Sequence, residues 1–313
     1  MEFYIWEDQR CVYDVVPGDQ SPSLLLIHPI GVGLSRTFWA PFIQQWRKAG
    51  GPQSIYNLDL LGCGESEMPR RSYRPQDWAE QVGYFIEQVV RGPVVLVVQG
   101  ALLPVAVELM DLSAETLVKG LVLSGPPAWP LITTPTAAWK TALAWQLFTS
   151  PLGNAFYRYA RRSQFLKSFS ERQLFERPED VTDDWLKMLA VGSRDMDSRY
   201  AVFSFLAGFW RQDYAGAIAR IQQPVLIAMG EAATTIDRAI AQKEAEKEAG
   251  QAEAIQAEGK RTPEANQKRL QDYLDHFPRA QGVSLPGRNV LPYESTDEFV
   301  AAVTSFVSQL APS

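Results

Sequence analysis

Residues 94–109 read Val-Val-Leu-Val-Val-Gln-Gly-Ala-Leu-Leu-Pro-Val-Ala-Val-Glu-Leu, and the fold turns on them. The apolar run Val94–Val98 has the pattern of a strand buried on both faces. Gln99-Gly100-Ala101 then turns the chain sharply into an apolar helix, so Gly100 sits at the junction of a central strand and a helix.

Similar units stand on either side. Glu2–Trp6 and Gln9–Val16 alternate as two antiparallel strands closed by the turn Pro17-Gly18-Asp19-Gln20. Leu24–Ile27 is a buried run ending in His28-Pro29-Ile30-Gly31, and Thr37 to Trp46 reads as a helix. Ile55–Asp59 is the next strand, helix 75–90 feeds the strand at 94, and Leu117–Leu123, Val225–Met229 and Gln281–Leu285 continue the series to a last helix, Thr296 to Leu310. Strands alternating with helices specify a mostly parallel sheet covered on both faces.

Four loops follow those strands in a telling order: His28-Pro29; Asp59-Leu60-Leu61-Gly62-Cys63-Gly64-Glu65-Ser66; the Gly100 turn; and Pro286-Gly287 to Leu291-Pro292-Tyr293-Glu294. Together they resemble the His-Gly turn, the D-x-x-G-x-G-x-S loop, the nucleophile elbow and the histidine loop of the α/β-hydrolase superfamily. The resemblance covers nearly the whole chain, and within the superfamily the sequence is most similar to uncharacterised hydrolase-like proteins of cyanobacteria and chloroplasts, a likeness that implies no settled activity. It implies an α/β-hydrolase fold, with residues 1–127 and 216–313 as the core and 128–215 as a helical cap inserted between strands. The cap segment holds Trp129, Trp139, Trp145, Trp185 and Trp210 with many phenylalanines, as expected of a lid over an apolar cavity, an apolar partner surface or a well-packed helical layer. Residues 238–260 are rich in Ala, Glu, Gln and Lys and lack a core-facing stripe; they are expected to be a protruding, mostly solvated helix or a partly disordered insert, with a partner-binding arm as the rival role.

The same resemblance assigns the catalytic slots, which follow in the order nucleophile, acid, histidine. Val98-Gln99-Gly100-Ala101-Leu102 stands where G-x-S-x-G is expected, so Gly100 fills the nucleophile slot. Gly230-Glu231-Ala232-Ala233 puts Ala233 in the acid slot, and Val290, just before Leu291-Pro292, fills the histidine slot. None of the three can donate or accept a proton through its side chain, and the reading is therefore a catalytically inactive hydrolase-like protein, a pseudoenzyme. The backbone N–H groups of Ile30 and Ala101 remain as an oxyanion-hole pair, with the Gln99 amide beside them. The expected pocket has Gly100 as floor and Trp39, Leu60-Leu61, Leu102 and Trp129 as walls, and suits an apolar ligand such as a pigment or prenyl lipid. The alternative is an enzyme using Cys63 and His28 as a thiol–imidazole pair on an ester or similar small apolar substrate. Against it, the histidine of such a turn usually fixes loops, and Asp59 is read in the same way.

Composition bounds the rest. A chain of 313 residues with net charge −6 and no long basic tract gives no reason to expect nucleic acid. Two cysteines, Cys11 and Cys63, and two histidines, His28 and His276, supply neither a disulfide framework nor a metal set, so no metal and no cofactor is expected, and a reducing compartment fits. The acidic start and the absence of a long apolar run point to the cytoplasm, or to the chloroplast stroma if a transit peptide preceded this numbering. Expected partners are an apolar small molecule and a protein meeting the cap or the 238–260 insert. Peripheral membrane contact is a further candidate, through Arg158, Arg161 and Arg162 or through Ala137–Phe148.

Overall fold

The computed structural model describes residues 1–234 and 263–310. The 238–260 insert lies outside them. Eight strands, β1 (Glu2–Trp6), β2 (Gln9–Val16), β3 (Gln20–Ile27), β4 (Gln53–Leu58), β5 (Val94–Gln99), β6 (Val118–Ser124), β7 (Val225–Gly230) and β8 (Ala280–Leu285), form one sheet in the order β1-β2-β4-β3-β5-β6-β7-β8. β1–β2 and β2–β4 pair antiparallel and every other neighbour is parallel. Helices α1 (Ala40–Lys48), α2 (Pro75–Phe85) and α3 (Leu103–Leu109) lie between strands of the first half. Between β6 and β7 come α4 (Trp129–Thr133), α5 (Ala138–Thr149), α6 (Pro151–Ala160), α7 (Ser163–Phe169), α8 (Asp183–Gly192), α9 (Arg199–Ala207) and α10 (Ala215–Ile218). The chain closes with α11 (Pro263–Leu274), α12 (Leu291–Glu294) and α13 (Thr296–Leu310).

The continuous apolar run at 94–98 follows from burial on both sides. Val94, Leu96 and Val98 enter the core shared with α2 and α3, whereas Val95 and Val97 enter the core under α1 and α13. Alternate residues thus serve different cores, and no position of this strand faces water.

The first hairpin departs from the expected one. β1 and β2 are closed by Glu7-Asp8, both at positive φ (48° and 60°), between the paired Trp6 and Gln9; Pro17–Asp19 instead leads from β2 to β3. A two-residue turn with both positions left-handed matches the twist of the flanking strands, but it normally carries Asn or Gly, so Glu-Asp gave no signal. The expected helix at 37–46 begins as a 3₁₀ turn, Arg36–Trp39, before α1.

Within the helical insertion most aromatic side chains are consumed by one another. Trp185 is fully buried against Phe38, Phe175 and Tyr293, and its indole N–H donates to Ser170 Oγ at 2.9 Å. Phe148 stacks on Phe203 with centroids 5.0 Å apart. The insertion is tied to the sheet by the Arg70–Asp197 ion pair (3.0 Å), by the Tyr73 N–H donating to Ser204 Oγ (2.9 Å) and by Asn289 Nδ2 donating to the Gln173 carbonyl (2.8 Å).

Candidate functional site

At the carboxyl end of β5 the chain turns at Gly100 with φ +63° and enters a 3₁₀ turn that runs into α3. A left-handed residue between strand and helix lifts its side-chain position clear of both elements. The consequence is measurable at Gly100: a Cβ built there meets no atom within 4 Å among the described residues. Crowding does explain other glycines. At Gly62 the Cβ would strike the Tyr73 ring at 2.7 Å, and at Gly64 the Asp59 carboxylate at 2.2 Å. Gly100 is therefore an open position in a conformation that disfavours larger residues by about 1 kcal/mol.

The two positions that the sequence reading assigns to the acid and the histidine hold buried apolar side chains. Ala233 is fully enclosed at the end of the Gly230–Ala233 turn, its N–H donating to the Gly230 carbonyl, and Val290 is buried in the core under α1 and α13. Neutral groups join these loops. Gln99 Nε2 donates to the Asn289 carbonyl at 2.7 Å, Asn289 Nδ2 lies 3.3 Å from Thr234 Oγ1, and the Thr234 N–H donates back to Asn289 Oδ1 at 3.4 Å. Ser124, opposite Gln99 on β6, is fully buried; its hydroxyl and the Gln99 Oε1 have no partner among the described residues. The Gly100 turn, the loop at Thr234 and the loop at Asn289 are thus joined to one another by amides and a hydroxyl, while the Glu294 carboxylate accepts from the Arg288 and Val290 N–H groups. Sequence reading found Gln99 but missed Thr234 and Asn289, whose signal was a polar residue directly beside each apolar slot. Asn289→Ala deletes the Asn289 side-chain contacts with Thr234 and Gln173 while leaving the Gln99 bond to the 289 carbonyl, and a loss of about 1–3 kcal/mol is expected in urea denaturation.

The thiol–imidazole pair does not form. His28 is wholly buried, its Nε2 accepts the Leu60 N–H at 3.1 Å, and its Nδ1 therefore carries the proton and donates to the Pro29 carbonyl at 2.8 Å. Both ring nitrogens are occupied, and burial lowers the pKa of the imidazole. Burial pushes the Cys63 thiol well above its usual range, with nearby Asp59 adding to the shift, and pushes Cys11 up to about 12. A thiolate nucleophile has no support in such surroundings. Both cysteines are accordingly expected to ignore Ellman's reagent at pH 8 in the native protein and to react fully in guanidinium chloride; fast native labelling of Cys63 would contradict this packing.

Asp59 fixes its loop. It is fully buried and accepts from the Arg36 backbone N–H (2.8 Å), the Arg36 guanidinium and the Glu65 N–H (2.8 Å). Trp39 is not a pocket wall: its ring packs among Phe38, Phe42 and Phe299 inside the core under α1 and α13. Trp129 is also committed elsewhere, because it stacks on His276 (4.1 Å between centroids) and meets Tyr273 of α11 edge-on at 5.4 Å. Leu60, Leu61 and Leu102 are buried in the core shared by α2 and α3, while Ile30 and Ala101 pack against it half-buried. The Ile30 N–H has no protein acceptor among the described residues, and Ala101 stands in the first turn after the elbow, where N–H groups lack intrahelical acceptors.

A separate groove of about 350 Å³ runs between α5 and residues 208–212, lined by Trp145, Phe209, Thr141 and Arg74 among others, and none of the residues expected at the elbow lines it. Among the described residues no three His, Cys, Asp or Glu side chains gather as a metal site. No helix of the described residues is long and apolar enough to cross a membrane.

Comparison with known proteins agrees with this fold. The model of the alpha/beta hydrolase family matches residues 24–303. Similar solved structures include the enol-lactonase from Burkholderia xenovorans, 14% identical with a TM-score of 0.69, covering 98% of this chain and 100% of that one. A thermophilic esterase from Thermogutta terrifontis is 15% identical with a TM-score of 0.67 over 97% of this chain and 95% of its own. An alpha/beta hydrolase enzyme from a Medee basin deep-sea metagenome library is 15% identical with a TM-score of 0.68, covering 100% and 99%. At such identities the likeness speaks to the fold. No curated protein matches the sequence.

Proposed function

The chain belongs to the alpha/beta hydrolase family, and we propose that within it this protein binds an apolar, carbonyl-bearing ligand at the elbow without turning it over. The observation that carries the reading is the open Gly100 position, where the superfamily places its nucleophile and this chain offers no side chain. Buried Ala233 and Val290, joined to the turn through neutral Gln99, Asn289 and Thr234, have no side chain that could take a proton from an incoming nucleophile. Hydrogen-bond donation is what remains. The Ile30 and Ala101 N–H groups suit the oxygen of an ester, ketone or lactone, and a preformed donor pair binds such an oxygen whether or not chemistry follows. The enol-lactonase and the esterases among the similar structures are named for carbonyl substrates of that kind. A pigment or prenyl lipid would unite such a carbonyl with an apolar body, which the half-buried Ile30 and Ala101 side chains would meet.

Native mass spectrometry of protein taken from its own cell tests the binding. A stoichiometric apolar adduct that is absent from Gly100→Phe is expected, and an adduct unchanged in that variant would place the ligand elsewhere. Purified protein should leave p-nitrophenyl esters at the buffer rate, with Cys63→Ala indistinguishable from the parent. A burst abolished by Cys63→Ala would overturn the non-catalytic reading.

A further inference from the structure

Helices α5 and α6 form a hairpin joined at Ser150, and each is apolar on the side that faces away from the protein. Inwardly, α5 directs Trp145 and Phe148 against Tyr200, Phe209 and Phe203, and α6 buries Tyr157 against Phe203. Outwardly, α5 leaves Trp139, Leu143 and Leu147 exposed at i, i+4, i+8, and α6 leaves Leu152, Phe156 and Tyr159 exposed at i, i+4, i+7. Trp139 and Leu152 are 66% and 70% exposed. A surface helix of a globular protein normally carries polar residues at such positions, and an apolar patch of this kind marks an interaction surface.

The charge on the hairpin indicates what covers it. From Thr116 to Ser170 the sequence contains no Asp or Glu, although the whole chain has a net charge of −6. Lys140 lies over the Trp139 ring at 5.6 Å and Arg162 over the Tyr159 ring at 5.7 Å, while Arg158 is exposed beside them on α6. Exposed leucines flanked by a tryptophan, a tyrosine and basic side chains suit the boundary between acyl chains and anionic headgroups. A second copy of the chain fits poorly, because a two-fold contact through this face would bring like charges together. We infer that the α5–α6 hairpin docks on an anionic lipid bilayer, with Trp139, Leu143, Leu147, Leu152 and Phe156 entering the interface and Lys140, Arg158 and Arg162 meeting the headgroups. The docking is peripheral, and it rests on the surface of the hairpin rather than on anything at Gly100.

Vesicle co-sedimentation of the full chain tests it, using phosphatidylcholine alone and phosphatidylcholine mixed with phosphatidylglycerol. Binding to the anionic vesicles is expected, weakened by salt, with a blue shift of tryptophan emission. Arg158→Glu with Arg162→Glu should lower the partition coefficient about tenfold or more, and Trp139→Glu with Leu143→Glu should abolish it. These side chains are exposed, so both double variants should keep the parental melting temperature, which checks that lost binding is not lost folding. Absence of binding to anionic vesicles, equal binding to both vesicle types, or full binding by either folded double variant would overturn the inference. So would a concentration-dependent dimer in place of vesicle binding that Trp139→Glu with Leu143→Glu dissolves.

Discussion

Gly64→Ala is expected to destabilise the protein by about 3–5 kcal/mol, a fall in Tm on the order of 10 °C. Two effects add. Gly64 has φ +60°, which an alanine tolerates at a cost of about 1 kcal/mol. Its Cβ would also lie 2.2 Å from the Asp59 carboxylate, which holds the Arg36 guanidinium and the Arg36 and Glu65 N–H groups in a fully buried position. Displacing that carboxylate leaves Arg36 with Asp14 and Glu65 but takes a fully buried negative charge away from its donors, which is more costly than a strained turn. Gly50→Ala separates the terms, since Gly50 has φ +80° with nothing within 4 Å, and it should lose only about 1 kcal/mol. Calorimetry of the two variants side by side checks the difference; equal losses would mean that Asp59 moves aside freely.

Gly100→Phe carries the largest expected effect on binding. The Cβ has open space, so the variant should fold with a loss of about 1 kcal/mol from the left-handed backbone alone. The benzyl group would then fill the open space at the turn, where the proposed ligand sits. Affinity for a solvatochromic naphthyl ketone, followed by its emission, should fall about a hundredfold or more, equivalent to removing about 3 kcal/mol of burial and hydrogen bonding. Gly100→Ala, which adds one methyl group, should keep most of the affinity. Unchanged binding in a folded Gly100→Phe would show that the probe sits elsewhere, for instance in the groove beside Trp145 and Phe209.

The parts of this fold legible in the sequence were those where one physical demand acts alone. β5 needs apolar residues on both faces because helices cover both, and β6, β7 and the Leu24–Ile27 half of β3 read equally clearly for the same reason. The Gly100 turn was legible because strand and helix follow each other without a spacer. Other features depend on contacts far away in sequence. Trp39 looked like a wall because it follows the His28 loop, yet the 3₁₀ turn at Arg36–Trp39 rotates it toward Phe299, which periodicity within the segment does not encode. Trp129 is drawn off by His276 and Tyr273, whose helix begins well over a hundred residues later. The Asn289–Thr234–Gln99 junction joins three separate loops, and only their tertiary approach reveals it.

Restoring the missing oxygen tests the non-catalytic reading of the elbow most directly. In Gly100→Ser a hydroxyl would stand at the open position next to Ala101, but Ala233 and Val290 have no side chain to act as its base and His28 has both ring nitrogens engaged. Hydrolysis of p-nitrophenyl butyrate by Gly100→Ser, measured against the parent and against buffer, should remain at the buffer rate, because a serine without its base contributes almost nothing to acyl transfer. Turnover by Gly100→Ser at about 1 s⁻¹ or faster, the range of an ordinary enzyme, would contradict it and show that a working base and acid face the elbow.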